Sequence, residues 1–93
     1  MQNPIFYKFE KINRKWVFKI LFTVFESEKA GFNYIKKALN PITSKVLSNR
    51  LKTLEDMALL TKRIVVDKPL KVEYYLTKKG KRMISAMVKS LRD

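Results

Sequence analysis

The amino-acid sequence predicts an α+β fold that is mainly α-helical, and three observations support this prediction. Apolar residues recur at the helical spacing of three and four residues in five segments. Two short runs that are rich in β-branched and aromatic residues indicate a two-stranded β-hairpin. The length of 93 residues suits one hydrophobic core, so we expect a single domain over residues 1–93.

The N-terminal part of the sequence contains two predicted helices. In the first, Ile5, Phe9 and Ile12 recur at i, i+4 and i+7, which is the pattern of a short amphipathic helix. The second is expected to begin at Asn13 or Arg14, and it is apolar on nearly all sides. A helix of that kind is typical of the buried centre of a domain.

Two further helices flank a short turn and form a predicted helix-turn-helix over about residues 32–57. The first covers about residues 32–39 and ends at Asn40, because Pro41 disfavours helical backbone in the residue before it. Thr43 is suited to cap the second helix, which runs to about residue 56 or 57. The expected buried face of that helix consists of Leu47, Leu51 and Leu54.

A hairpin and a C-terminal helix follow. The hairpin is expected over about residues 60–77, with strands at 60–66 and 71–77 and a basic tip at Lys68 and Lys71. Thr77 is suited to cap the last helix, over about residues 78–92, and Gly80 in its first turns indicates close packing. This order of elements is that of a winged helix-turn-helix, in which the two-stranded hairpin is the wing.

The charge balance indicates a polyanionic partner. The chain has 21 Lys and Arg against 8 Asp and Glu, a formal net charge of +13. The alternative is a lysine-rich solvated surface of the thermophilic kind, but such surfaces are also rich in Glu. Here 16 Lys accompany 5 Glu. We therefore expect nucleic acid as the partner.

The missing residue types argue against catalysis and against cofactors. The sequence contains neither Cys nor His, which excludes disulfides, cysteine-ligated zinc and the commonest general base. We expect no enzymatic activity, no cofactor and no metal site. No apolar stretch approaches the roughly 20 residues of a membrane span, and no secretory signal is recognised at the N-terminus. We therefore expect a cytoplasmic, nucleoid-associated protein without membrane contact.

Three groups of residues are candidates for contact with DNA. Short donors opposite the leucines of the 43–57 helix are suited to base edges in the major groove, and the alternative is a merely solvated helix face. Side chains on the preceding helix are suited to phosphates, and those on the wing are suited to phosphates or to the minor groove. The candidates on the recognition helix are Thr43, Ser44, Lys45, Ser48, Asn49 and Lys52. The preceding helix contributes Tyr34, Lys36 and Lys37, and the wing contributes Lys62, Arg63, Lys68 and Lys71.

The two terminal apolar stripes are larger than a small core requires. Because an exposed apolar patch marks an interface, the flanking N- and C-terminal helices are expected to pair in a two-fold homodimer. The two recognition helices would then lie about 34 Å apart, one turn of DNA. The predicted interface residues are Ile5, Phe9, Ile12, Ile84, Met87, Val88 and Leu91.

Three motifs carry a resemblance to a known family. They are Lys15-Trp16 with the run at 31–35, the run at 41–55, and the run at 72–80, in that order. Together they make the chain similar to the HxlR-type transcriptional regulators, relatives of the MarR group, over about residues 13–92. The resemblance implies a homodimer that binds a roughly palindromic duplex. Some family members sense oxidants through a cysteine, and because this sequence has none, the resemblance does not extend to thiol sensing.

The sequence therefore predicts a sequence-specific regulator of transcription that binds double-stranded DNA as a homodimer. Two alternatives remain open: a winged-helix module that docks on another protein, and a non-specific architectural or single-strand binder. A protein-docking module would tolerate the loss of Lys45, Asn49 and Lys52, whereas a sequence-specific regulator would not. No convergent polar cluster in the sequence indicates a small-molecule effector.

Overall fold

Four helices and three strands make up the computed structural model, which describes residues 14–92 and, within them, the side chains at all positions except 14, 15, 66 and 67. The predicted N-terminal helix lies outside the described residues. The mainly helical α+β fold is confirmed. In chain order the elements are α1 (Arg14–Ser27), β1 (Lys29–Gly31), α2 (Phe32–Ala38), α3 (Ser44–Asp56), β2 (Leu60–Asp67), β3 (Leu70–Leu76) and α4 (Lys78–Arg92).

Helix α1 lies at the centre of the fold, as its apolar sequence predicts. It contacts the other three helices and strands β1 and β3, and its residues Ile20, Leu21 and Val24 are completely buried. Phe18 and Phe22 are half-buried, and their rings stack with centroids 5.8 Å apart. The helix therefore supplies both the middle of the core and an aromatic pair at its margin.

The three strands form one antiparallel sheet in the order β1-β3-β2, so β3 is the central strand. Strands β2 and β3 are the predicted hairpin, and its turn consists of Lys68 and Pro69 because Asp67 already pairs with Leu70. The sequence does not predict β1, since three residues are too few to show a pattern and Lys-Ala-Gly contains no β-branched residue. The sheet thus has one strand more than expected.

Both ends of α3 are closed by hydrogen bonds within the chain. The Thr43 hydroxyl accepts from the Val46 N–H over 3.2 Å, so the predicted cap is confirmed. At the other end, Ala58 adopts a left-handed conformation with φ of 60°. Its N–H donates to the Glu55 carbonyl and the Leu59 N–H donates to the Leu54 carbonyl, each over 2.9 Å. This is the Schellman arrangement, with alanine where glycine is usual.

The first turn of α4 is bonded to the segment that follows α3. The Thr77 hydroxyl accepts from the Gly80 N–H over 3.0 Å, which confirms the predicted cap, and donates to the Ala58 carbonyl over 2.6 Å. A Cβ atom on Gly80 would overlap the Leu59 carbonyl oxygen, so the predicted close packing is also confirmed. The Lys79 ammonium donates to the Met57 carbonyl over 3.1 Å. We call this set the α3–α4 junction: Met57, Ala58, Leu59, Thr77, Lys79 and Gly80.

Candidate nucleic-acid interface

Helix α3 has one apolar face and one polar face. Leu47, Leu51 and Leu54 are at most 1% exposed, and they fix the helix on the core. The side chains opposite them point into solvent, where they are free to meet a ligand. The structure brings all six recognition-helix candidates to this exposed surface: Thr43, Ser44, Lys45, Ser48, Asn49 and Lys52.

Helix α2 and the turn after it present a second polar surface. Ile35 is fully buried and anchors the helix, while Tyr34 and Lys37 are exposed and Lys36 is half-buried. The predicted candidates of this helix are therefore accessible. Two residues that the sequence reasoning missed share a shallow hollow with both lysines: Asn33 and Asn40. The signal for them was available, because each lies three or four residues from a candidate lysine on the helix surface.

The basic residues of the wing do not lie on one face. Lys62 pairs with Tyr74 across the strands, and its ammonium lies 3.9 Å from the Glu55 carboxylate. Arg63, the next residue, points to the opposite face of the sheet, where its guanidinium lies 5.3 Å from the centre of the Tyr75 ring. Lys62 and Arg63 therefore lie on opposite faces of the sheet, because neighbouring residues of a strand alternate in direction, and contact of Arg63 with DNA stays a prediction.

Lys62 joins the polar face of α3. One hollow is lined by Ser48 and Lys52 of α3 together with Lys62 and Tyr74 of the sheet. Burial raises the pKa of the Tyr74 phenol above its ordinary value, and the negative charge of Glu55 raises it further. Tyr74 therefore remains a neutral side chain at the base of this surface, and the nearby charge is carried by lysines and carboxylates.

The tip of the wing is both basic and apolar. Lys68 and Lys71 are exposed, as predicted. Ile64 and Leu70 are each 65% exposed and Val65 is 49% exposed, an apolar surface that the sequence reasoning missed. The alternation of the strands was visible in the sequence, but the distance of the tip from the core was not.

The predicted dimer surface is partly present in the described residues. Phe18 of α1 and Met87 and Leu91 of α4 line an apolar groove of about 630 Å³, and Leu91 is 75% exposed. Val88 is half-buried nearby on α4. Ile84 is fully buried in the core of its own chain, so its predicted place at the interface is corrected to a core position. The other predicted interface residues lie outside the described residues: Ile5, Phe9 and Ile12.

Two further properties concern the part of the chain that the structure describes. Among the side chains that the structure describes, no three acidic ones lie close enough together to hold a metal ion, and the sequence has no His or Cys. No helix over residues 14–92 has both the length and the apolar character needed to cross a membrane.

Comparison with known proteins identifies the family. The family model described as HxlR-like helix-turn-helix matches residues 11–93. The helix-turn-helix-type transcriptional regulator YvaP of Bacillus subtilis is 34% identical over 80 residues, which cover 82% of this chain and 73% of that protein.

Solved structures show the same fold. The diamide-treated YodB of Bacillus subtilis has a TM-score of 0.77 and 26% identity, over 99% of this chain and 90% of that one. A MarR-family regulator of Enterococcus faecalis has a TM-score of 0.81 and 25% identity, over 99% of this chain and 86% of that one. The resemblance that the sequence motifs carry is thereby confirmed. This chain belongs to the HxlR-like helix-turn-helix family of DNA-binding transcriptional regulators.

Proposed function

We propose that the chain is a sequence-specific regulator of transcription that acts as a homodimer on double-stranded DNA. In this proposal α3 enters the major groove, and the wing lies on the neighbouring backbone or minor groove. The observation that carries the proposal is the division of α3 into a buried leucine face and an exposed face of short donors. A recognition helix needs both, one to hold its position and one to reach base edges.

The exposed face of α3 has the chemistry for base readout. The Asn49 carboxamide is suited to a bidentate contact with adenine, and the ammonium groups of Lys45 and Lys52 are suited to guanine. Thr43 and Ser44 lie at the start of the helix, where backbone N–H groups and the positive end of the helix dipole favour a phosphate. The Thr43 hydroxyl already caps the helix, so its exposed side is the part available to DNA.

Side chains of α2 and the wing are suited to the sugar-phosphate backbone. Tyr34 and Lys37 are exposed on α2, and Lys36 is half-buried. On the wing, Lys62 lies on the side that α3 occupies, and Lys68 and Lys71 are exposed at the tip. Contacts of this kind set the orientation of the protein on the duplex but do not distinguish base pairs.

The homodimer is supported by the apolar groove between α1 and α4. Leu91 is 75% exposed there, and Met87 and Phe18 continue the surface. Two copies joined through such a surface about a two-fold axis would present two recognition helices to two half-sites one helical turn apart. A regulator of this kind acts at the chromosome, so we place it with the nucleoid in the cytoplasm.

The proposal is tested by measuring specificity directly. A duplex is selected from a random pool with the whole chain, and its affinity is compared with that of a shuffled duplex by fluorescence anisotropy at several salt concentrations. We expect the selected duplex to bind about 10³-fold or more tightly than the shuffled one. Equal affinity with a steep salt dependence would contradict sequence specificity and support architectural binding. Absence of binding to either duplex would support the protein-docking alternative.

A further inference from the structure

The outer part of the wing exposes a strip of aliphatic side chains on one face. Ile64 lies directly opposite Val72 in the two strands, and Leu70 shares their face because it is two residues from Val72. Ile64 and Leu70 are each 65% exposed, whereas the core hydrophobics among the described residues are at most 9% exposed. We call these three residues the apolar wing face: Ile64, Leu70 and Val72.

The apolar wing face is continuous with the proposed major-groove surface. Lys62 pairs with Tyr74, so these two residues lie on the same side of the sheet as Ile64 and Val72. Lys62 and Tyr74 in turn line a hollow with Ser48 of α3. A ligand that spans the polar face of α3 and extends outward along the wing would therefore reach the aliphatic strip next.

A crevice separates the wing from the start of α2. It has a volume of about 520 Å³ and is lined by Leu70 and Lys71 of the wing and by Asn33 and Tyr34 of α2, among others. In a duplex, one sugar-phosphate strand separates the major groove from the adjacent minor groove. A crevice with an exposed lysine beside it is suited to that strand, and the wing would then lie on its minor-groove side.

We propose that the apolar wing face enters this minor groove and that Ile64 and Leu70 select base pairs without the guanine 2-amino group. The inference rests on the proposed function, since it requires DNA on the α3 side of the molecule. In the minor groove, A·T pairs present only acceptors, whereas G·C pairs add the 2-amino donor. Aliphatic side chains have no acceptor for that donor, so covering it leaves a polar group without a hydrogen bond.

The charge of the wing complements this placement. Lys68 and Lys71 are exposed on either side of Pro69 and Leu70, where they are suited to the phosphates that border the groove. Minor-groove proteins combine basic side chains with apolar ones in the same way. The wing would therefore contribute sequence preference through its aliphatic residues and general affinity through its lysines.

The test compares two polymers that differ in the minor groove only by that amino group. Poly(dG-dC) and poly(dI-dC) present the same donors and acceptors in the major groove, but inosine lacks the 2-amino group. Each is used to compete with a labelled duplex for the whole chain. We expect poly(dI-dC) to compete about tenfold more strongly than poly(dG-dC).

Two variants assign the effect to the aliphatic residues. In the double variant Ile64→Ser/Leu70→Ser the preference should fall to less than about twofold, and because both side chains are largely exposed the fold should remain. Lys68→Gln is the matched control on the same tip. It should weaken binding to both polymers and leave the preference between them intact. The slope of log affinity against log salt concentration should become shallower by about one.

The outcomes separate this inference from the proposed function. Equal competition by the two polymers, or a preference that survives in the double variant, would overturn minor-groove selection by the wing while leaving DNA binding in place. Failure of the chain to bind any duplex would overturn both.

Discussion

The Thr77 hydroxyl donates a hydrogen bond to the Ala58 carbonyl oxygen over 2.6 Å, and it thereby links the start of α4 to the end of α3. Both strands of the wing lie between these two residues in the sequence, and the first pair of the ladder, Leu60 with Leu76, lies immediately inside them. The bond therefore closes the base of the wing. The Thr77 hydroxyl thus helps to fix the wing relative to the helix that we propose reads DNA.

Replacement of Thr77 should destabilise the fold. Thr77→Val keeps the shape but removes both the bond to Ala58 and the cap on the Gly80 N–H. We expect the free energy of unfolding to fall by about 1–3 kcal/mol, measured by urea denaturation. Thr77→Ser retains both hydrogen-bonding functions and should lose less than about 1 kcal/mol. Equal stability of Thr77→Val and the wild type would mean that the Thr77 hydroxyl does not stabilise the junction.

Glycine should stabilise the chain at one position and destabilise it at another. Ala58 has φ of 60°, a conformation that L-residues adopt at a cost and glycine does not. We expect Ala58→Gly to raise the free energy of unfolding by about 0.5–1 kcal/mol. The control, Ser85→Gly on the exposed side of α4, should lower it by about 0.5 kcal/mol. Thermal unfolding of both variants checks the opposite signs.

Asn49 and Lys37 should differ in their effect on DNA binding. If Asn49 contacts a base, Asn49→Ala should weaken binding to the selected duplex by about 1–3 kcal/mol and relax the preference at one base pair. Lys37→Ala should weaken all duplexes by a similar factor and reduce the salt slope by about one. Anisotropy titrations against selected and shuffled duplexes distinguish the two patterns. If the two variants behaved identically, the result would contradict a base contact by Asn49.

A charge in the α1–α4 groove should dissociate the proposed dimer. Leu91 is 75% exposed in the single chain, and the proposed interface would bury it. Leu91→Glu should shift the mass measured by light scattering from two chains of 11.0 kDa to one. Ser85→Glu introduces the same charge on α4 outside the groove lining and should remain dimeric. A wild-type chain that is monomeric at micromolar concentration would refute the dimer.

The Tyr74 phenol should ionise at a higher pH than an ordinary tyrosine, because its pKa is raised. Burial raises its pKa above the ordinary value of 10.0, and Glu55 raises it further. The folded chain thus holds this proton more tightly than the unfolded one. The contribution of Tyr74 to the free energy of unfolding is therefore complete below about pH 10 and is lost as the pH rises beyond it. Tyr74→Phe should therefore lose stability less steeply above about pH 10 than the wild type, as urea unfolding would measure. In Glu55→Gln the Tyr74 phenol should ionise at a lower pH than in the wild type, as a pH titration followed by tyrosinate absorbance would show.

The sequence predicts the helices well because the apolar pattern of a helix repeats every three or four residues within the helix itself. The leucine spacing in α3 sets its buried face, and the capping roles of Thr43 and Thr77 follow from their places before the helices. Strand β1 has no comparable signal, since its place in the sheet depends on pairing with residues 73–75, more than forty positions away. Long-range pairing of this kind leaves no period in a three-residue segment.

The candidate site was predictable residue by residue but not as an arrangement. Exposure of the α3 donors follows from helical geometry, and the structure agrees. The separation of Arg63 from Lys62 depends on strand register, which fixes the face of every side chain at once. Ile84 illustrates the same point on α4. The apolar stripe of that helix is wide enough to face both the core and solvent, and only the packing of the fold assigns Ile84 to the core.

The order of the sheet has a consequence for synthesis of the chain. Strand β3 pairs with both β1 and β2, so β1 has no neighbour until residues 73–75 are available. During translation, the C-terminal end of α1 and all of β1 must wait for more than forty further residues to leave the ribosome. The part of α1 that packs against β3 therefore lacks this cover until the wing is complete. Folding is for this reason a late event, and a chain that stops before β3 would present its apolar central helix to chaperones and proteases.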